Sequence, residues 1–259
     1  MDKLTVLKVG GAVTQNKLLL HKFLNNLTKI KGKKILVHGG GRELDLFLKK
    51  NNHPIKMFNG RRITDKKTLD CALMIYAGKI NKEIVAKLQS LKINSLGLCG
   101  ADANSVLCKL RTKKELDYGY VGDIVSINSV FFKLILENKI MPVCSSITYD
   151  KDGLLLNTNA DTIASEISCS MSRIYKTELW YCFEEKGVYQ DDNKKEIINK
   201  LDIATFESLK SKGIISKGMI PKVSNCFNGL KNGVSKVIIG SLDAIIENEI
   251  YTEIIPDEE

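Results

Sequence analysis

The 259-residue sequence predicts an α/β protein built on a mainly parallel sheet with helices on its faces. Two observations carry that prediction. The first fifty residues spell strand, glycine turn and helix twice in succession, and the same alternation returns in the second half of the chain. Two such units in tandem fit a parallel sheet covered by its crossover helices.

Taken in order, residues 4–9 are an apolar-rich strand that runs into Gly10 and Gly11. Residues 17–30 place Leu20, Phe23, Leu24, Leu27 and Ile30 at helical spacing. KKILVH at 33–38 reads as a second buried strand, Gly39 to Gly41 as its turn, and RELDLFLKK as the next helix. Residues 66–91 are helical again, with Leu69, Leu73, Ile80, Ile84 and Leu88 on one face, and SLGLCG follows as a strand. Residues 105–128 are β-like with turn signals at Asp117, Tyr118, Gly119 and Gly122, and are expected to form a hairpin at the sheet edge. IMPVCSSI is expected as one strand, YDKDG as a turn, LLLN as a short strand and ADTIASEISCSM as a helix. The remainder alternates ELWYCF, DIATFESLKSK, PKVSNCFNGLKNG and SKVIIG as strand, helix, helix and strand. No linker rich in Pro, Gly or Ser divides the chain, so one continuous sheet with two lobes, 1–173 and 174–259, is expected.

Composition narrows the function. At 44% apolar and 27% charged residues, with no uncharged apolar run long enough to span a bilayer, neither disorder nor a membrane span is supported. The N-terminus lacks the layout of a signal peptide, which makes the cytoplasm the default. Seven scattered cysteines without a C-x-x-C pair read as reduced core residues, and with three scattered histidines they offer no zinc site or Cys-His nucleophile. The net charge of +9 is spread along the chain, with no recognition helix or aromatic-basic platform for nucleic acid, and suits an anionic small substrate.

Five stretches hold residues fit for chemistry. KVGGAV sets Lys8 before Gly10 and Gly11, where bare N–H groups and a helix start can receive an anion. VHGGGREL repeats that turn without matching a dinucleotide or Walker pattern, so its three glycines read as a nest for carboxylate or phosphoryl oxygens. NGRRIT offers Arg61 and Arg62, whose planar forks grip carboxylates. NTNAD supplies Asn157, Asn159 and Asp161, more amides than one helix cap requires. ISKGMIPKV puts Lys222 in the first turn of a helix, unfavourable for the dipole unless an anion is near.

In their order and spacing these motifs, with YAGKINKEIV, GYVGDIV, PVCSSI and LLLNTNADTIA, resemble the amino-acid kinase family from residue 4 to about residue 240, on its acylglutamate branch. The resemblance implies a three-layer αβα sandwich around a central mainly parallel sheet. It implies transfer of the γ-phosphoryl of ATP, with Mg²⁺, onto the side-chain carboxylate of N-acetyl-L-glutamate in arginine biosynthesis. It implies that Lys8 and Lys222 neutralise the transferring group and that Asp161 holds them. Gly10, Gly11, Gly40 and Gly41 would offer N–H groups to phosphoryl and substrate. Arg62 would take the substrate α-carboxylate, and Asn157 and Asn159 its amide region. Glu184, Gly187, Val188, Lys217, Gly218 and Met219 would contact the nucleotide. An acylglutamate-binding lobe at 1–173 would carry a dimer helix at YAGKINKEIV, and 174–259 would bind ATP. Since the hexameric, arginine-inhibited members carry an extra N-terminal helix, a homodimer without arginine feedback is expected.

The chain departs from the family at CFEEKGVY, where Phe183 and Glu184 stand in place of a hydroxyl residue and Asp, and at Lys217, usually acidic. Those departures keep two alternatives open: a succinyl group on the glutamate, or a non-catalytic nucleotide- or amino-acid-sensing module. A Cβ added at Gly40 or Gly41 is expected to block the acceptor more than ATP.

Overall fold

The computed structural model describes residues 1–58, 60–113, 116–191, 193, 196–215, 219–247 and 249–256. The first strand, β1 (Lys3–Val9), alternates faces as a period-2 chain must. Leu4 and Val6 join one apolar layer, Leu7 and Val9 the other, and Lys8 takes the face of Leu4 and Val6. After β1 the chain makes a short helix α1 (Gly11–Gln15) that the sequence reading passes over. It then enters α2 (Lys17–Leu27), whose start is capped by the Asn16 side chain, and β2 (Lys33–His38) and α3 (Gly41–Lys50) complete the second unit.

A two-stranded hairpin, β3 (Met57–Phe58) and β4 (Arg61–Arg62), follows. The long helical stretch expected at 66–91 is α4 (Lys66–Ala72), a π-helical segment (Leu73–Ile80) and α5 (Asn81–Ser90), ahead of β5 (Ser95–Leu98). Then come β6 (Val106–Leu110), β7 (Gly122–Ile127), α6 (Ser129–Glu137), β8 (Met141–Cys144), β9 (Ile147–Tyr149), β10 (Leu155–Asn157) and α7 (Ala160–Met171). The last part holds β11 (Lys176–Cys182), β12 (Lys200–Leu201), α8 (Ile203–Ser211), α9 (Ile220–Lys231), β13 (Lys236–Gly240), α10 (Leu242–Ile246) and β14 (Thr252–Ile254).

Eight strands form the central sheet in the order β12-β14-β13-β11-β1-β2-β8-β5. The pairings from β13 through β11, β1, β2 and β8 to β5 are parallel, and β14 runs antiparallel to β13. Strands from before and after residue 174 meet side by side at β1 and β11. Helices α7 and α9 bury Ile163, Ile167, Val223 and Phe227 on one face; α2, α3 and α5 bury Leu24, Leu27, Leu44, Leu48, Ile84 and Leu88 on the other. Each such side chain contributes about 1.5–3 kcal/mol by leaving water. This is a three-layer αβα sandwich.

Two expectations are corrected. The 105–128 hairpin, β6 and β7, does not lie at the edge of the central sheet, which ends at β5; it belongs to a separate sheet ordered β10-β9-β6-β7. IMPVCSSI is not one strand: the chain leaves the central sheet after Cys144, turns through Ser145 and Ser146, and enters the second sheet as β9. All seven cysteines are free. No helix among the described residues is long and apolar enough to cross a membrane.

Candidate active site

Because β1, β2 and β11 are parallel, their C-terminal ends stand together, and α1, α3, α7 and α9 begin there around one cleft of about 630 Å³. Open α/β sheets bind ligands at such an edge. Three of the four helix starts, those of α1, α3 and α9, have no capping side chain; glycines occupy the first two cap positions. Among the described residues, none of the N–H groups of Gly39, Gly40 and Gly41 has a hydrogen-bond acceptor in the protein. Uncapped helix starts leave N–H donors and a positive dipole end facing the cleft, which suits an anion.

Lys8 reaches the cleft from the centre of the sheet, and its Nζ lies 2.7 Å from Oδ1 of Asp161, with both side chains more than nine-tenths buried. Asp161 is set by the first turn of α7, whose start is capped by Asn159: its Oδ1 accepts from the Asp161 N–H at 2.7 Å and from the Thr162 N–H at 3.3 Å. Tyr181 donates to the Asp161 carbonyl at 3.0 Å, tying α7 to β11. Lys222 approaches from α9, and its Nζ lies 4.2 Å from the centre of the Phe183 ring; that of Lys8 lies 5.5 Å away. Phe183 stacks on Tyr181 at 6.5 Å and presents its π face to both ammonium groups, where the attraction is greatest. Burial pushes the Lys222 ammonium below the usual lysine range; the Asp161 carboxylate opposes this, and the charges of Lys8 and Arg42 add to it. An arriving anion relieves those costs.

At the other end of the cleft Arg62 pairs through Nη2 with Asp45 Oδ1 at 2.6 Å and with the Gly41 carbonyl at 3.4 Å. Its second terminal nitrogen, Nη1, is buried with no hydrogen-bond partner among the described residues. A guanidinium with one arm anchored and one buried arm free is a donor awaiting an acceptor. Arg61 and Arg111 also line this end, and Asn157 donates its amide nitrogen to Thr64 Oγ1 at 3.0 Å.

The cleft thus brings together Lys8, Lys222 and Asp161 with Gly10, Gly11, Gly40, Gly41, Arg62, Asn157 and Asn159. Glu184, Gly187 and Met219 line its far side, where Arg42 Nη1 and Glu184 Oε1 face each other at 3.8 Å across the two halves. Val188 is placed elsewhere: its side chain is in the core and its N–H is given to Thr252 Oγ1 at 2.8 Å. Lys217 and Gly218 lie outside the described residues, as does Asn59. Arg42, Asp45 and Arg111 also line the cleft without belonging to the expected set; Arg42 and Asp45 follow the triple glycine on α3, and that proximity is the signal that could have found them.

The three glycines are not equivalent. A Cβ on Gly41 would meet only Arg62 Nη2 at 3.8 Å, and one on Gly39 only Ala160 at 3.7 Å. One on Gly40 would fall 2.5 Å from Tyr76 Cδ1 and 2.6 Å from Ile80 Cδ1. Gly40 is bare because the π-helical segment packs on it. Gly40→Ala is therefore expected to act first on packing and lower stability by about 1–3 kcal/mol, read by thermal unfolding; unchanged unfolding with acceptor binding lost would show instead that the added methyl enters the cleft.

The amino acid kinase family model matches residues 3–241. The chain is similar to acetylglutamate kinases of Bacteroides fragilis, 44% identical over 94% of each chain, and of Cytophaga hutchinsonii, 45% identical over 95% of this chain and 94% of the relative. In structure it is similar to a protein of Streptococcus mutans UA159 (TM-score 0.82, 26% identity, covering 98% of this chain and 99% of that one). It also shares its fold with carbamate kinase from Giardia lamblia (TM-score 0.72, 14% identity, covering 99% of each chain).

Proposed function

The chain belongs to the amino acid kinase family, and we propose that within it the reaction is ATP-dependent phosphorylation of the side-chain carboxylate of N-acetyl-L-glutamate, a step of arginine biosynthesis. The observation that carries this is the convergence of Lys8 and Lys222 from opposite halves of the chain on one point between uncapped helix starts. A carboxylate acceptor is already ionised at neutral pH, with a pKa near ~4, so no general base is needed. The barrier lies in bringing two anions together. Phosphoryl transfer is catalysed chiefly by positioning and charge stabilisation, and two lysines with glycine N–H groups supply both.

The acceptor lies over the Gly39 to Gly41 shelf with its α-carboxylate on the free arm of Arg62, which supports an amino-acid-type substrate. The γ-phosphoryl lies between Lys8 and Lys222, and the nucleotide extends past Glu184, Gly187 and Met219. Asp161 keeps Lys8 in place. Among the described residues no group of three or more His, Cys, Asp or Glu side chains could hold a metal by itself. Glu184, which lines the cleft, would be the carboxylate available to Mg²⁺ carried in on the nucleotide phosphates. Bound there, Mg²⁺ would supply positive charge to the phosphates. A homodimer through the face carrying exposed Leu46, Phe47 and Met74, which α3 shares with the π-helical segment, would cover an apolar patch.

The test is acyl phosphate trapped as hydroxamate, with N-acetyl-L-glutamate, N-succinyl-L-glutamate and free glutamate compared at saturating ATP and Mg²⁺. Product from the acetyl substrate is expected. Thermal stabilisation by ATP without product from either acylated substrate would replace the kinase with a sensing module.

A further inference from the structure

His38, the last residue of β2, is fully buried immediately before the three glycines. Its Nδ1 lies 2.9 Å from the carbonyl oxygen of Gly39, and its Nε2 lies 3.1 Å from Nδ2 of Asn81, the first residue of α5. The orientation of the Asn81 amide follows from its other neighbours. Nδ2 donates to the Val143 carbonyl at 2.9 Å, and Oδ1 accepts from Lys82 Nζ at 3.2 Å. A carbonyl accepts only and an ammonium donates only, so the amide cannot be reversed. The Asn81 Nδ2 therefore donates to His38 Nε2, and the ring proton sits on Nδ1, donating to Gly39. The tautomer is dictated by a chain that starts at an exposed lysine and ends at the shelf of the cleft.

We infer that His38, held by Asn81 and Lys82, is a positioning residue that fixes the Gly39–Gly40 peptide so that its N–H points at the acceptor substrate. Glycine on both sides of a peptide leaves its plane nearly free to turn, and a triple glycine is the least preorganised donor array a chain can offer. Here each carbonyl of the three is held: Gly39 by His38, Gly40 by the Leu44 N–H at 3.0 Å and Gly41 by Arg62. Across a trans peptide the carbonyl and the following N–H point in opposite directions. With the Gly39 oxygen drawn into the core, the Gly40 N–H is turned outward. Protonation of Nε2 would set donor against donor at Asn81 inside the core, and burial accordingly pushes His38 down to about 4, so the ring stays neutral while the enzyme works.

The inference rests on the phosphoryl-transfer reading, and its test separates the two. His38→Leu, which deletes the hold, is expected to lower kcat/KM for the acylglutamate about 100-fold, the scale of a misplaced positioning group, and to leave KM for ATP unchanged. His38→Asn, whose side-chain N–H₂ stands near the Nδ1 position, is expected to recover much of that loss. A residue that only fills the core would lower stability without this split between substrates and without rescue. Nitrogen-15 spectra of the imidazole should show Nδ1 protonated and Nε2 bare at neutral pH. Wild-type kcat/KM in His38→Leu, or the opposite tautomer, would overturn the inference. If the wild-type chain forms no acyl phosphate, the reaction is misread, and the imidazole spectrum still decides the relay.

Discussion

Lys8→Ala lowers kcat about 10²–10³-fold, the cost of removing one preorganised donor from a developing negative charge, and leaves the fold intact. The first half of that expectation follows from where Lys8 stands. It is fixed by two parallel neighbours, opposite Val37 on β2 and Tyr181 on β11, so its ammonium cannot be replaced by a drifting surface lysine. Its stem shares a sheet face with Leu4 and Val6, and its head is gripped by Asp161 at 2.7 Å. The second half follows from Lys222. When Lys8 is removed, Asp161 keeps a positive neighbour, whose charge it already supports. Ala removes the buried stem beyond Cβ along with the ammonium, so the unfolding midpoint falls somewhat while the apolar layers around Leu4 and Val6 keep the fold. ADP release by the variant at saturating substrates, with its unfolding midpoint, measures both halves. Turnover like the wild type's would take Lys8 out of the mechanism. Lys8→Arg should not restore the rate, because a fork built for two oxygens has to share the face of Phe183 with Lys222.

Most of the central sheet could be read from the sequence because its strands are short apolar runs between glycine turns and periodic helices. ADTIASEISCSM folds as Ala160–Met171, the helix its pattern describes. What escaped was pairing. The β-like residues 105–128 carry no record of a partner strand, and β9, which draws that hairpin into a second sheet, begins only at the last residue of IMPVCSSI and runs into Tyr149, read as the start of a turn. The two-residue β12 and three-residue β14 are too short for any periodicity to show. The cleft divides the same way. Lys8, the glycines, Arg62, Asp161 and Lys222 were legible because strand ends and helix starts in this architecture face ligand. Distances across the chain were not. Nothing near Gly40 announces Tyr76, 36 positions on, and nothing in a scattered histidine announces that Asn81 fixes its tautomer. Asn159 combines the two roles its motif allowed: its Oδ1 caps α7, and the residue also lines the cleft.

Asp161→Ala is expected to cost more stability than any other single change in the cleft, about 3–5 kcal/mol, because removing one partner of a buried pair strands the other. The Lys8 and Asp161 side chains line the cleft but are only 8% and 9% exposed, so water entering from the cleft replaces the lost carboxylate poorly. Lys222 worsens the deficit: its charge is already disfavoured by burial and by Lys8, and Asp161 is the group that opposes this. At this chain length the loss corresponds to a fall of roughly 10 °C in unfolding midpoint. Triphosphate distinguishes a counter-charge role from a packing role. If Asp161 acts as the resident anion for two lysines whose work is to receive a phosphoryl group, ATP should restore part of the missing charge and raise the variant's midpoint more than the wild type's. Turnover should nevertheless stay low, since the lysines would then be positioned by the substrate and no longer before it arrives. Equal stabilisation of both proteins by ATP would mean that the variant's loss comes from the cavity left at the start of α7, and that Asp161 holds the helix more than the lysines.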